Sequence, residues 1–259
     1  MVERDISNPL PSNPVVLIPA FNEEDAVGRV IERVRAVCPY PIIVIDDAST
    51  DGTRTEAEAA GATVLPLIVN LGAWGATQTG IRYALRHGHD LAICLDADGQ
   101  HDPAQLKDVA APVLSGLAHV SIGAYPERGS RARQVAWVLL RTVSGIRLED
   151  LTSGFRAYGA EAMNELASWR ATYLEFQDVG VLALLMDKGL RVMDVAVTMQ
   201  KRENGHSRIF HTWLAVGYYM CHTVLLGVTK RRIRRYRGEP PRIRTLLRQA
   251  RTTSTSSTG

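Results

Sequence analysis

Short apolar runs alternate with segments of helical periodicity through the first hundred residues, and this alternation constrains the fold more than any other feature. The apolar runs, which we predict to be strands, are residues 15–18, 42–45, 63–69 and 91–95. The intervening segments, which we predict to be helices, are residues 23–37, 53–60 and 74–86. Because strands that alternate with helices favour a parallel sheet covered on both faces, we predict an α/β fold with a mostly parallel central sheet.

Polar side chains follow each of the four predicted strands. In chain order they are Asn22 and Glu23, Asp46 and Asp47, Asn70, and Asp96 and Asp98. Any one of them could serve only as a loop or helix-cap residue. Ligands of open α/β sheets bind beyond the carboxyl ends of the strands, so the four together predict a ligand site at this edge.

The last of these strands runs into the sequence Asp96-Ala97-Asp98. Side chains alternate along a strand, so both carboxylates would point the same way. Hard oxygen ligands at this spacing can hold a divalent cation against a diphosphate, which predicts chemistry on a nucleotide.

Two other uses of an Asp-x-Asp motif fit poorly. Phosphatases that form an aspartyl phosphate follow the second Asp with Gly-Thr or Gly-Val, whereas Gly99 is followed here by Gln100. A calcium-binding loop needs Gly at its sixth position and Glu at its twelfth, where this chain has His101 and Lys107.

Composition indicates one main globular domain. The chain has 259 residues, 46% of them hydrophobic and 22% charged, which is enough for a substantial core. Its three cysteines, Cys38, Cys94 and Cys221, show no Cys-x-x-Cys spacing, so neither a disulfide framework nor a zinc site is expected. Residues 1–13 contain no apolar run, and we interpret them as a leader rather than a signal peptide.

Positive charge is concentrated near the C-terminus. Residues 230–251 contain ten Lys or Arg and one acid, a local charge of +9, which leaves −6 for the rest of a chain whose net charge is +3. No aromatic interleaving or nucleic-acid module accompanies them, so we expect a membrane surface rather than nucleic acid as the partner. Residues 230–259 are therefore interpreted as a basic tail that becomes low in complexity and disordered at its end.

The segment 209–229 precedes this tail and contains no Lys, Arg, Asp or Glu. At about 1.5 Å per residue, a helix of this length would reach roughly the thickness of the hydrocarbon core. Basic residues flank it on both sides, which disfavours a single crossing. We predict an amphipathic helix on the inner leaflet, which would make the protein peripheral or monotopic on the cytoplasmic side of the membrane. A helix of the domain core or of a homodimer interface remains the alternative.

Six short motifs stand in a fixed order along the chain. They are Ile18–Glu24, Ile45–Thr53, Asn70–Gly72, Leu95–His101, Asp150–Arg156 and Arg202–Ser207. In sequence and order they resemble the motifs of the inverting glycosyltransferases of family 2, which have the GT-A nucleotide-sugar fold, and most closely those of the dolichyl- or polyprenyl-phosphate sugar synthases. The resemblance implies a catalytic domain over residues 14–208.

The resemblance also implies a donor site. The residues it assigns to the nucleotide are Pro19, Ala20, Phe21, Glu23, Asp46, Asp47, Asn70, Asp96 and Ala97. It assigns Asp96, Asp98 and Gln100 to a Mg²⁺ or Mn²⁺ ion, with Asp98 as the direct and catalytic ligand. Such an ion would neutralise the leaving nucleoside diphosphate.

Arg156 and Arg202 resemble phosphate clamps of the family and complete the catalytic set, because a guanidinium fork suits a phosphate and stays charged. The alternative is that each makes a surface salt bridge. Further candidates for the acceptor phosphate, besides Arg156, are Arg141, Ser153, Lys201 and Ser207. The chain departs from the family pattern at Gly123–Pro126 and at Ala73–Trp74, so its sugar or nucleotide preference is expected to differ from that of the usual members. The choice between GDP- and UDP-sugars stays open.

A polyprenyl phosphate is the expected acceptor. Family members that act on sugar hydroxyls need a base and often carry a Gln-x-x-Arg-Trp box, which this sequence lacks. A phosphate is already ionised and needs only cations to hold it. Two alternatives remain: a soluble hydroxyl acceptor with Glu175 or Asp178 as base, and a binding protein without turnover.

Overall fold

A computed structural model describes residues 13–125, 148, 150, 153–174 and 179–199. The strands are β1 (Pro14–Ala20), β2 (Ile42–Asp46), β3 (Thr63–Pro66), β4 (Leu91–Cys94), β5 (Val120–Ala124), β6 (Arg156–Gly159) and β7 (Val192–Ala196). The helices are α1 (Val27–Val37), α2 (Thr53–Ala59), α3 (Gly72–Arg86), α4 (Leu106–Leu114), α5 (Ala160–Ala167), α6 (Trp169–Thr172) and α7 (Val179–Asp187), with a 3₁₀ turn at Pro103–Gln105.

The strands form one seven-stranded sheet in the order β3-β2-β1-β4-β6-β5-β7. Strand β6 is antiparallel to both of its neighbours, β4 and β5, and the other pairs are parallel. The prediction of a mostly parallel α/β sheet is confirmed.

The sheet is covered on both faces, which explains why its strands are continuous apolar runs. Val15 and Leu17 of β1 pack into the core beneath α3, whereas Val16 and Ile18 pack into the opposite core with α1 and α4. Four consecutive residues of β1 are fully buried for this reason.

The register brings several strand ends to one edge of the sheet. Ala20 of β1 pairs with Asp46 of β2, and Leu17 of β1 pairs with Cys94 of β4. Because β6 is antiparallel, it begins at the edge where β4 ends, and Arg156 pairs with Cys94. We call this the carboxyl edge. It brings residues 153–156 beside the Asp96-Ala97-Asp98 sequence.

Several predictions concern segments outside the described residues: the apolar segment 209–229, the tail 230–259 and all of the leader except Asn13. In the part of the chain that the structure describes, the helices are too short or too polar to cross a membrane.

Candidate active site

The Asp96 carboxylate is held by a buried histidine. Nε2 of His101 lies 3.0 Å from Oδ2 of Asp96, and the His101 residue is only 2% exposed. Since the carboxylate can only accept, we assign the proton of this contact to Nε2. The other ring nitrogen, Nδ1, is buried and has no hydrogen-bond partner among the described residues. His101 ends the predicted motif Leu95–His101, but its sequence position indicated no role for it.

Gly154 supports the same carboxylate from the other side. A Cβ atom at this position would lie 2.7 Å from Oδ2 of Asp96 and closer still to Oδ1, so the site has room only for glycine. Gly154 lies within the predicted motif Asp150–Arg156, but the sequence did not indicate this role.

Asp98 and Gln100 lie in a tight turn that follows β4. Oδ1 of Asp98 accepts a hydrogen bond from the Gln100 amide at 3.0 Å, and Gly99 between them has a φ of +76°, in the left-handed region that glycine tolerates. The turn places Asp96, Asp98 and Gln100 within five residues at the carboxyl edge.

This donor set suits a hard divalent ion. Two carboxylates and an amide oxygen are ligands that Mg²⁺ and Mn²⁺ prefer, and the Asp96 side chain is 44% exposed, so an ion and a substrate could reach it. The described residues contain no cluster of three or more His, Cys, Asp or Glu side chains arranged for a metal. Mg²⁺ in proteins usually keeps several waters and substrate phosphate oxygens beside one or two carboxylates.

Asp47 ties the loop before α3 to the ends of β1 and β2. Its Oδ1 accepts from the Leu71 amide at 2.7 Å, its backbone oxygen accepts from Nδ2 of Asn70 at 3.2 Å, and its amide donates to Ala20 at 2.8 Å. Burial raises the pKa of the Asp47 carboxyl, although the Leu71 and Gly72 amides oppose this by stabilising the charged form. Asp47 therefore fixes the loop before α3 against the ends of β1 and β2.

The loops after β1 and β2 are joined by side chain to backbone hydrogen bonds. Asn22 accepts from the Thr50 amide at 2.8 Å through Oδ1, and the Glu23 amide donates to Oγ1 of Thr53 at 2.7 Å. Asp46 accepts from the Ser49 amide at 3.0 Å. These bonds hold the loops in one arrangement beside the Asp96-Asp98 turn.

The other predicted nucleotide residues differ in how they face this edge. Ala20 is buried at the end of β1, Phe21 directly after it is 40% exposed, and Pro19 and Glu23 are half-buried. The Ala97 side chain points into the core with α1 and α4, which leaves only its backbone to face a ligand.

Arg156 is fully buried, so the alternative of a surface salt bridge is wrong for this residue. Its Nε donates to the Ser153 backbone oxygen at 2.8 Å, and Oγ of the buried Ser153 accepts from the Phe155 amide at 3.3 Å. Burial raises the pKa of the Cys94 thiol to about 12, against the opposing effect of the Arg156 charge. The guanidinium thus lies inside the domain beside the end of β4.

The remaining predicted residues lie outside the described part of the chain. They are the phosphate candidates Arg141, Lys201, Arg202 and Ser207 and the candidate bases Glu175 and Asp178. Their roles stay predictions.

Comparison with known proteins agrees with this geometry. Residues 15–166 match the family described as glycosyl transferase family 2, which is more than half of the chain. The chain belongs to this family. It is a glycosyltransferase with the GT-A fold, as the six motifs predicted.

Curated relatives in this family include two named for polyprenyl carriers. An undecaprenyl-phosphate mannosyltransferase of Micrococcus luteus is 29% identical over 211 residues, which cover 75% of this chain and 86% of that protein. A polyprenol monophosphomannose synthase of Mycolicibacterium smegmatis is 29% identical over 214 residues, which cover 75% and 80%.

Among solved structures, a glucosyl-3-phosphoglycerate synthase from Mycobacterium tuberculosis superimposes with a TM-score of 0.66. It is 22% identical, and the match covers 85% of this chain and 78% of that one. This similarity shows a shared fold.

Proposed function

We propose that this glycosyltransferase moves a sugar, with inversion, from a GDP- or UDP-sugar to a polyprenyl phosphate. The observation that carries the proposal is the Asp96-Asp98 turn at the carboxyl edge, bordered by the antiparallel start of β6. The names of the two curated relatives, which both refer to polyprenyl carriers, support the choice of acceptor.

The donor nucleotide would bind against the loops that follow β1 and β2. Asp46 holds the loop after β2 through the Ser49 amide, and Asp47 holds the neighbouring loop before α3 through the Leu71 amide. Phe21 supplies an exposed ring at the same edge, which suits stacking against a nucleobase. This leaves the diphosphate to face Asp96 and Asp98.

A Mg²⁺ or Mn²⁺ ion held by Asp96, Asp98 and Gln100 would neutralise the departing diphosphate. The solved neighbours of similar fold include complexes with Mn²⁺ and UDP and with Mg²⁺ and UDP. In this chain, His101 and Gly154 fix the orientation of the Asp96 carboxylate before any ligand arrives.

The acceptor step is a single displacement. A phosphate oxygen of the lipid forms a bond to the anomeric carbon while the bond to the nucleoside diphosphate breaks, and the electron pair leaves with the diphosphate. The acceptor is already ionised near neutral pH, so no general base is needed. We propose that the acceptor phosphate is held by Arg141, Ser153, Arg156, Lys201, Arg202 and Ser207. Arg156 would act through its buried charge.

We further propose that the protein works at the inner leaflet, on the cytoplasmic side, as a peripheral or monotopic enzyme. The segment 209–229 and the basic tail 230–259 support this, since an apolar stretch followed by clustered arginines favours an anionic interface. The segment could also pair two chains as a homodimer.

A soluble acceptor is the second candidate. The neighbour of similar fold is described in complex with phosphoglyceric acid, a small soluble phosphate compound. A hydroxyl acceptor would require Glu175 or Asp178 as base. Alanine replacement of both acids would abolish that reaction but leave transfer to a phosphate intact.

The proposal is tested by release of GDP or UDP from a panel of nucleotide sugars, with Mn²⁺ or EDTA and with or without a short polyprenyl phosphate. We expect release only when metal and lipid phosphate are both present. Asp98→Asn should abolish it, whereas Asp108→Asn, an exposed acid on α4, should not. Metal-dependent release that ignores the lipid would favour a soluble acceptor.

A further inference from the structure

The described surface carries exposed apolar side chains at the carboxyl edge of the sheet. We call them the apolar rim and define it as Ile68, Val69, Leu71, Trp169 and Tyr173. Ile68 is 98% exposed, Tyr173 79% and Trp169 68%. Large apolar side chains that are exposed together often mark an interaction site.

Both parts of the apolar rim are attached to the first turn of α3. Leu71 directly precedes this helix, and its side chain lies against Gly75. Nε1 of the buried Trp74 donates to the Ala171 backbone oxygen at 2.9 Å, which holds α6 against the same turn. Trp169 and Tyr173 stand two residues on either side of Ala171. The rim therefore lies beside the loop that Asp47 organises.

The side chains on α6 are those of a membrane–water interface. Trp169 and Tyr173 pack edge to face with ring centroids 6.0 Å apart, and the Arg170 guanidinium lies 5.8 Å from the Trp169 ring centre. Trp and Tyr are enriched at headgroup depth because one end of each ring system is apolar and the other can hydrogen-bond. An adjacent arginine can meet a lipid phosphate while its stem stays on apolar surface.

The charge around the apolar rim fits an anionic surface. Residues 59–81 contain no charged side chain, and the only charged residue in 166–174 is Arg170. The two segments that form the rim thus offer one cation and no carboxylate. Arg170 is thus the charge that these two segments can offer to a negatively charged headgroup.

We propose that the apolar rim docks the catalytic domain onto an anionic bilayer. A bilayer accepts protruding side chains such as Ile68 without a matching pocket, whereas a second protein copy would need one. The proposal rests on the proposed function, because a polyprenyl phosphate presents its phosphate at the depth that Trp169 and Tyr173 would occupy. Docking by the rim would bring that phosphate to the carboxyl edge without extracting the lipid.

Site-specific fluorescence tests this placement in the full chain. An environment-sensitive dye is attached to Ile68→Cys in a Cys221→Ser background, because Cys38 and Cys94 are buried. Vesicles of phosphatidylglycerol and phosphatidylcholine should shift its emission to the blue. The matched control is Thr55→Cys, exposed on α2 at the opposite face, whose dye should not respond. An unchanged emission at position 68 on vesicles that bind the protein would overturn the proposal.

Vesicle binding of a rim variant gives a second measurement. Ile68→Ser combined with Trp169→Ser should weaken binding about tenfold or more, since two large apolar side chains are lost. The assay is run at about 0.5 M salt to screen the basic tail. If this variant binds vesicles as the wild type does, the rim does not contact the membrane. If its binding is unchanged but light scattering shows a changed oligomeric state, the rim is a contact between copies of the chain.

Supplying the acceptor either in detergent or in vesicles distinguishes an error in the docking proposal from an error in the proposed function. The double variant should keep nucleotide release with a short polyprenyl phosphate dispersed in detergent and lose it with a long one embedded in vesicles. Equal loss with both would contradict a docking role. If the wild type uses no polyprenyl phosphate in either form while the dye at position 68 still responds, the acceptor assignment fails and the docking surface stands.

Discussion

Nε2 of His101 lies 3.0 Å from Oδ2 of Asp96, and the histidine that makes this contact is almost fully buried. The imidazole packs against Phe155 with ring centroids 5.2 Å apart, and residue 101 forms a β-bridge with Met199. The ring is therefore fixed by the core, whereas the carboxylate it holds faces solvent. A half-exposed acid gains a defined orientation from a buried partner.

Removing this hydrogen bond should weaken metal binding. In His101→Leu, Asp96 loses its donor, and we expect the affinity for Mn²⁺ to fall about tenfold or more, as is typical when the partner of a metal ligand is removed. His101→Gln places an N–H near the position of Nε2 and should recover most of the affinity. Isothermal titration with Mn²⁺ in the presence of UDP or GDP measures both. Equal affinities for the Leu and Gln variants would show that the contact does not position Asp96.

Gly154→Ala should damage the same site by steric conflict. The added methyl would meet both Asp96 oxygens, so either the carboxylate or the 153–155 backbone must move. We expect nucleotide release to fall about tenfold or more, in line with the cost of misplacing a group at a reacting centre. Gly28→Ala is the matched control, because its Cβ would meet nothing closer than 3.8 Å and it lies within α1. Gly28→Ala should keep full activity and gain about 0.5–1 kcal/mol of stability.

Most of the sheet could be predicted from the sequence because its strands are buried on both faces and read as apolar runs. The third run was predicted too long, as 63–69, whereas β3 ends at Pro66 and the exposed Ile68 and Val69 form a loop. Periodicity cannot distinguish an apolar strand from an apolar loop that serves as a surface. The first helix begins at Val27 rather than residue 23, since the Glu23 and Glu24 amides donate to Thr53 and Asp51 instead.

The arrangement of side chains around Asp96 could not be predicted from the sequence. Spacing placed Asp96 and Asp98 at a strand end, yet it could not show that β6 inserts antiparallel between β4 and β5 and brings Gly154 to Asp96. Nor could it show that Arg156 is buried, because a charged residue in a short strand is ordinarily expected at the surface. Strand order depends on packing between distant segments, which a local pattern does not record.

Trp74→Phe should loosen α6 and, with it, half of the apolar rim. The substitution keeps most of the buried ring but leaves the Ala171 oxygen without the indole donor. The Ala171 oxygen still accepts from the Leu174 amide at 3.2 Å, so we expect the free energy of unfolding to fall by about 0.5–1.5 kcal/mol, the usual net contribution of one hydrogen bond. Urea unfolding measures this. The control is Trp169→Phe, which alters an exposed ring on α6 and should change stability little.

Asp47 and Asp51 should influence stability with opposite dependence on pH. Burial raises the pKa of Asp47 in the folded state, so its contribution to stability is present below the unfolded pKa of about 3.9 and declines as pH rises through the folded pKa. Asp47→Asn keeps an oxygen that can accept from Leu71 but cannot ionise. Relative to wild type, its melting temperature should therefore improve as pH increases from about 4 to 7.

The contribution of Asp51 to stability has the opposite pH dependence. Burial opposes ionisation, but the Thr53 hydroxyl and the Thr53 and Glu24 amides outweigh it and lower the pKa of this carboxyl. Its contribution is present above the unfolded pKa and is lost as pH falls through the folded pKa, so Asp51→Asn should become worse than wild type as pH rises over the same range. Thermal unfolding of both variants at several pH values gives the two slopes. Slopes of the same sign would contradict the hydrogen-bond arrangement described for one of the two loops.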